Sequence, residues 1–304
     1  MTLVTVIGNV NADIVARPLL ELPPPGGDLL VDTIEVRVGG AAANAGMALA
    51  RLGLAPRVIG AVGDDDLGRF VVDSLRDIGL DRDVRVLPEV STGVSICVEA
   101  PGKDRAFISM RGALDRFDAS MVPADALACS FLLLCGYFTL SSLRGGPALT
   151  LLQRARHQGA TVLLDPDVDA EGWSPSARRE IEDLLPLVDG FLPNEHEARG
   201  LTGLSDPVEA GHALQRRCGG WVVVKRGAEG VAAIAPDGRM ITVPARPVEV
   251  RDTTGAGDSF NAGVVYSLSL GAAWSEALTF ATRVATAVVA RPSEDRYPSP
   301  ADLS

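Results

Sequence analysis

Short β-branched runs alternate along this chain with longer amphipathic stretches, and this alternation narrows the possible folds more than any other feature. The runs at 4–7, 58–62, 131–134, 161–164, 190–192 and 222–225 have the length and branching of strands. Between them, 41–52, 67–78, 147–157 and 208–218 place apolar residues at a helical period. Strand, helix, strand repeated in this way predicts an α/β fold: a central, mostly parallel sheet with helices on both faces. Ligands of such sheets sit beyond the carboxyl ends of the strands. The chain has 304 residues, 47% of them hydrophobic, which is enough to fill one core, so a single domain over 1–304 is expected.

Two segments break the pattern. Residues 29–38 and 92–110 alternate with period two, the second as Val94, Ile96 and Val98, a turn at Pro101-Gly102-Lys103-Asp104, then Phe107, Ile108 and Met110. They predict a small β-sheet lid outside the main sheet, built from segments at about 12–38 and 91–113. An isolated sheet exposes an apolar face, so this one should cover the active site, pair with a second copy of the chain, or do both. A hairpin at 231–235 and 239–243, around Pro236-Asp237-Gly238, belongs at a sheet edge, and the loop at 22–27 is stiffened by three prolines.

Chemistry concentrates in Asp252-Thr253-Thr254-Gly255-Ala256-Gly257-Asp258-Ser259-Phe260-Asn261-Ala262-Gly263. Small residues at 255–257 let several backbone N–H groups converge on one point, and the positive end of a following helix favours an anion there. Asp258 stands beside that point and cannot itself grip a phosphate, so its task would be to take a proton from an attacking hydroxyl. The plainer reading is a glycine-rich loop whose Asp258 caps the helix. Two other phosphate motifs fail: no Gly-Lys-Ser or Gly-Lys-Thr follows, and Phe260 stands where a dinucleotide fingerprint needs its third glycine.

Charge and composition remove whole classes of function. A net charge of -11 with no long basic run speaks against nucleic acid and against an anionic membrane surface. The opening residues 1–8 read as a strand rather than a leader, and no apolar stretch approaches the ~20 residues of a membrane span. A cytoplasmic location is expected. Four cysteines without a Cys-x-x-Cys pair read as buried thiols, and three histidines offer no zinc set. A Gly-x-Ser-x-Gly elbow is also missing.

Other constellations fall at strand ends. Asn11 and Asp13 follow the first strand and either bind hydroxyls or simply turn the chain. Gly39 and Gly40 precede a helix, with Asn44 in its first turns, where a polyol could approach bare backbone or a helix could pack closely. Asn194 and Glu197 have the spacing of a capping box, yet they also face a place where a hydrated Mg²⁺ could be held indirectly. Lys225-Arg226-Gly227-Ala228-Glu229-Gly230 ends a strand in a glycine turn suited to a nucleotide or to a plain hairpin.

In this order the segments resemble the ribokinase-like family of carbohydrate kinases, also called the phosphofructokinase B family, over nearly the whole chain. Asp252 to Asp258 resembles its C-terminal signature, and Gly39-Gly40 through Asn44-Ala45-Gly46 with Leu49-Ala50-Arg51-Leu52-Gly53 its N-terminal one. The resemblance implies a kinase that uses ATP and Mg²⁺, with Asp258 as the catalytic base and Gly255, Ala256 and Gly257 as the anion hole. It implies that Asn11, Asp13, Gly40 and Asn44 bind sugar hydroxyls, that Asn194 and Glu197 serve Mg²⁺ and phosphate, and that Lys225, Gly227 and Gly230 lie in the nucleotide turn. Asp252 and Thr254 correspond to positions that bind a monovalent cation such as K⁺ in many members. Here Arg291-Pro292-Ser293-Glu294 replaces the usual glycine-containing turn of that loop. Asp169, where fructokinases and ketodeoxygluconate kinases carry Arg, would disfavour an acidic sugar.

The expected reaction is transfer of the γ-phosphoryl group of ATP to a primary hydroxyl of a small sugar, in a homodimer joined through the lid strands. A nucleoside kinase, with Phe107, Met110 and Tyr137 forming a slot for the base, is the rival on the same scaffold. A non-catalytic ligand-binding homologue is the other.

Overall fold

In the computed structural model, residues 2–17, 25–98 and 106–303 are described. The expected turn at 101–104 and residues 22–24 of the proline-rich loop lie outside them. The first part of the chain runs β1 (Val4–Ile7), β2 (Asn11–Arg17), β3 (Thr33–Gly39), α1 (Ala41–Arg51), β4 (Arg57–Gly63), α2 (Asp66–Arg76), β5 (Asp83–Leu87), β6 (Val94–Val98) and β7 (Ala106–Met110). It continues through β8 (Phe131–Leu134), α3 (Gly146–His157), β9 (Thr161–Leu164), α4 (Pro175–Leu184), β10 (Gly190–Phe191), α5 (Glu195–Thr202) and α6 (Pro207–Gln215). Then come β11 (Trp221–Lys225), β12 (Val231–Ile234), β13 (Met240–Val243), α7 (Ala256–Ser269) and α8 (Trp274–Ala290).

Nine strands form the main sheet in the order β13-β12-β11-β10-β9-β8-β1-β4-β5. From β5 to β11 all neighbours are parallel, and the β12–β13 hairpin closes one edge antiparallel, as its turn residues predict. The strands are apolar on both faces because both are covered. Val6, Val58 and Leu133 pack into one layer and Ile7, Ile59, Leu132 and Leu134 into the other. From β1 the chain winds outward to β4 and β5, then returns to β8 on the other side. The order therefore reverses at β1, which places a crevice at the carboxyl ends there.

A second, four-stranded sheet has the order β3-β2-β6-β7. Its first strand in the chain, β2, falls within the 12–38 segment expected to form the lid but has no period-two alternation of its own. Asn11 and Asp13 read as turn residues, yet they open β2, paired in register with Gly39 and Arg37 of β3. Asp13 thus lies in the strand that directly follows β1, not in a turn. β5, rich in Asp and Arg, and helices α4 and α8 were also not anticipated by the alternation.

Helix α7 owes its position to a contact that only glycine allows. A Cβ on Gly263 would lie 2.7 Å from Cα and 3.1 Å from Cβ of Ala281 in α8. Gly263→Ala should therefore push α7 off α8 and cost about 1–3 kcal/mol in urea unfolding. Unchanged stability would show that the two helices yield at no cost.

Candidate active site

Two helix N-termini meet above the crevice. Gly255, at φ 73°, makes the left-handed turn that starts α7, and Asp258 stands in the first turn of that helix. Gly40, at φ 94°, starts α1, where a Cβ would strike Asn9 O at 2.3 Å and Asn11 Oδ1 at 2.7 Å. Asn44 of α1 donates from Nδ2 to Asp258 Oδ2 at 2.8 Å, and its own Oδ1 accepts from the Tyr297 hydroxyl at 3.0 Å. The carboxyl of Asp258 is thus bound by a side chain of another helix. The reading of Asp258 as a plain cap loses its support.

Below this pair lies a dense set of charges. Asp165, just past β9, accepts from Lys225 Nζ at 2.6 Å and from Asn261 Nδ2 of α7. The same ammonium lies 3.5 Å from where Gly257 would carry a Cβ, so a cation borders the turn at 255–257. Burial pushes the Asp258 carboxyl up to about 7, and repulsion from Asp165 adds to this, while the Asn44 bond pulls the other way. Burial also lifts Asp167 to about 6 and Glu197 well above the usual carboxylate range, the latter helped by Asp165. For Lys225, burial works to lower the value, but Asp165 and Glu197 outweigh it and the ammonium is retained.

Around the crevice, Asn11 Nδ2 donates to Asp13 Oδ1 at 2.8 Å. Burial raises the Asp13 carboxyl against the pull of Arg37. Asn194 and Glu197 do form a capping box on α5, with Asn194 N donating to Glu197 Oε2 at 2.8 Å and Glu197 N to Asn194 Oδ1 at 2.9 Å. Asn194 is bridged to Lys225 of β11, so both lie at one end of the sheet. Gly227 and Gly230 turn the chain into β12. A Cβ on Gly230 would strike Val243 O at 2.0 Å, whereas Gly227 borders open space.

A family model for pfkB carbohydrate kinases matches residues 1–301. The chain belongs to the pfkB family. It is 28% identical over 294 residues to a ribokinase of Haemophilus influenzae, covering 94% of this chain and 92% of that one. It is 31% identical over 251 residues to the aminoimidazole riboside kinase of Salmonella typhimurium, covering 79% of this chain and 76% of that one. A ribokinase II of E. coli, solved with ATP and Mg²⁺, superposes with a TM-score of 0.84 at 25% identity, covering 100% of this chain and 98% of that one. Like its relatives, the protein is a kinase of the carbohydrate and nucleoside type.

The residues present suit the two cations that the pfkB resemblance implies to different degrees. Asp165, Asp167 and Glu197 bring three carboxyl groups around one lysine, and two of them are raised, a surplus of negative charge that fits a hydrated divalent cation. Among the described residues no group of three or more His, Cys, Asp or Glu is arranged to hold a metal directly. Asp252, by contrast, already serves Arg17, Arg37 and Arg296 on Oδ2 and the Thr254 amide on Oδ1. The residues at Asp252 and Thr254 do not fit an added monovalent cation.

Several neighbours of the site carry no signal in the sequence alone. Asp165, Tyr297 and the three arginines are brought in from far along the chain. Asp169 has a different task from the one expected: it accepts from the amides of Glu171 and Trp173 within its own loop, so it says nothing about substrate charge. Of the three residues expected to line a base slot, Tyr137 is fully buried and bonds Glu180, and Met110 lies on the opposite face of the small sheet from Asp13. Among the described residues no helix is long and apolar enough to cross a membrane, and the four cysteines are buried.

The site makes a measurable electrostatic claim. With ¹³C-labelled aspartate, the Asp258 carboxyl should titrate near pH 7, and Asn44→Ala should move its midpoint higher, because the bond it removes favours the ionised form. A midpoint near 4, unmoved by the substitution, would contradict this geometry.

Proposed function

We propose that this pfkB-family enzyme transfers the γ-phosphoryl group of ATP to a primary hydroxyl of a small carbohydrate, ribose- or fructose-like, with Asp258 as the base. One observation carries the reading: the Asp258 carboxyl is held by Asn44 beside the turn at 255–257, with the Lys225 ammonium at the turn's other edge. A proton acceptor, an amide-lined hole and a cation around one point are what phosphoryl transfer to a hydroxyl requires. A carboxyl near 7 is matched to accepting a proton at neutral pH.

In this reading the amides of Gly255, Ala256 and Gly257 stabilise the charge that develops on the moving group. Asn11, Asp13, Gly40 and Asn44 hold the sugar hydroxyls so that one of them faces Asp258. Asn194, Lys225, Gly227 and Gly230 border the nucleotide, and Asn194 and Glu197 hold Mg²⁺ through water. That ion, when bound, would offset phosphate charge. ATP and Mg²⁺ are supported by the family and by the E. coli complex. The small sheet closes the crevice as a lid and excludes water, which protects ATP from hydrolysis.

A nucleoside acceptor is the second reading, favoured by one residue. Phe107 pairs with Cys97, which pairs with Val15, so it shares the face of the small sheet that carries Asp13. It is 51% exposed there, and a base could stack on it. Rates with ATP on a panel of pentoses, hexoses and nucleosides separate the two.

The opposite face of the small sheet supports a homodimer. Ile34, Val36, Ile96, Ile108 and Met110 are all exposed on it and adjacent through the strand register. A second copy is the partner that matches this surface with an equal one. Ile108→Asp should turn a dimer into a folded monomer in sedimentation analysis, and a wild type that is monomeric at high concentration would contradict the pairing.

Asp258→Asn keeps the shape and removes the base. It should lower kcat about 10²–10⁴-fold on the best acceptor. Wild-type rates in that variant would remove Asp258 from its role.

A further inference from the structure

Asp252 opens the turn that ends in the anion hole, and its carboxylate is the meeting point of three arginines from three parts of the chain. Arg17 Nη2 of β2 and Arg37 Nη1 of β3 each donate to Oδ2 at 2.7 Å, and Arg296 Nη2 of the C-terminal segment does so at 3.0 Å. Oδ1 accepts from the Thr254 amide at 2.8 Å, which fixes the turn. The Asp252 and Arg296 side chains are only 2% and 6% exposed. Burial would raise this carboxyl, yet Arg37 and Arg296 hold it well below the usual range. Arg37 also donates to Ser293 Oγ at 2.8 Å, and Arg296 Nη1 lies 3.5 Å from where Gly255 would carry a Cβ. The cluster thus stands directly behind the hole.

A further cation has no place here. To bind Asp252 it would have to displace a guanidinium from Oδ2, or join the Thr254 amide on Oδ1, and in either place sit among three like charges. Guanidinium also does something that a spherical ion cannot, because each is covalently part of a different element and its fork fixes direction as well as charge.

We propose that Arg17, Arg37 and Arg296 are positioning residues that act in place of a monovalent cation. They neutralise Asp252, hold the 252–255 turn in shape, and tie the two lid strands to the anion hole when the small sheet is closed. The enzyme therefore works without K⁺ or NH₄⁺ and gains nothing from them. This rests on the kinase reading above.

The test compares phosphoryl transfer at fixed ionic strength in KCl, NaCl and choline chloride. Rates within about twofold of one another are expected, and a larger gain specific to KCl overturns the proposal. Arg37→Met should lower kcat at least about tenfold while the KM for ATP changes little, because the turn loses its shape rather than the nucleotide its contacts. Arg37→Lys, which restores the charge, should recover part of the loss. Full activity in the Met variant, or no recovery in the Lys variant, overturns the proposal. If the Met variant fails to fold, the wild-type salt comparison decides alone. Absence of turnover on every acceptor in every salt sinks the kinase reading instead. The wild-type melting temperature then decides: equal values in KCl and NaCl support the cluster as a cation's replacement, and a rise specific to KCl overturns it.

Discussion

The bond from Asn44 to Asp258 joins the first turns of two helices, and the rest of the site depends on it. Both helices aim their N-termini, and so their positive dipole ends, at one small volume. Such a volume attracts anions, and it would keep a lone carboxylate ionised. The surroundings pull the other way: burial and the nearby Asp165 raise Asp258 until it stands near neutrality. A single amide hydrogen bond sets its orientation and moderates that rise. In the proposed reaction this places a carboxyl matched to accepting a proton beside the turn at 255–257.

Charge around this pair is partitioned between two clusters. Around Lys225, one ammonium stands among Asp165, Asp167 and Glu197, an arrangement short of positive charge. Behind the hole the balance is reversed, with three guanidinium groups on one aspartate. Two of the three come from the small sheet. The small sheet and the turn at 252–255 are therefore linked through a buried charge contact, through which closure would reach the anion hole in the proposed enzyme.

Much of the frame was legible because it rests on local pattern. Strands at 4–7, 131–134 and 161–164 are bounded by turn residues and too short for helices, and they appear with those limits. The turn at 255–257 and Asp258 were visible because glycine spacing and an acidic first turn are local properties. β2 was legible only as part of the 12–38 lid segment, because Asn11 and Asp13 have turn chemistry and only pairing with β3 makes them strand. The arginine cluster could not be read at all: Arg37 and Asp252 are 215 residues apart, and nothing near either one announces the other. Tyr137 and Asp169 show the converse, since each had a residue type suited to a pocket but is used by its own neighbourhood.

A structure of the enzyme with a non-hydrolysable ATP analogue, Mg²⁺ and its acceptor tests the central claim most directly. The account expects the terminal phosphate on the amides of 255–257 and the acceptor's primary hydroxyl about 2.6–3.2 Å from the Asp258 carboxylate. A terminal phosphate bound elsewhere, or a hydroxyl out of reach of Asp258, would contradict it.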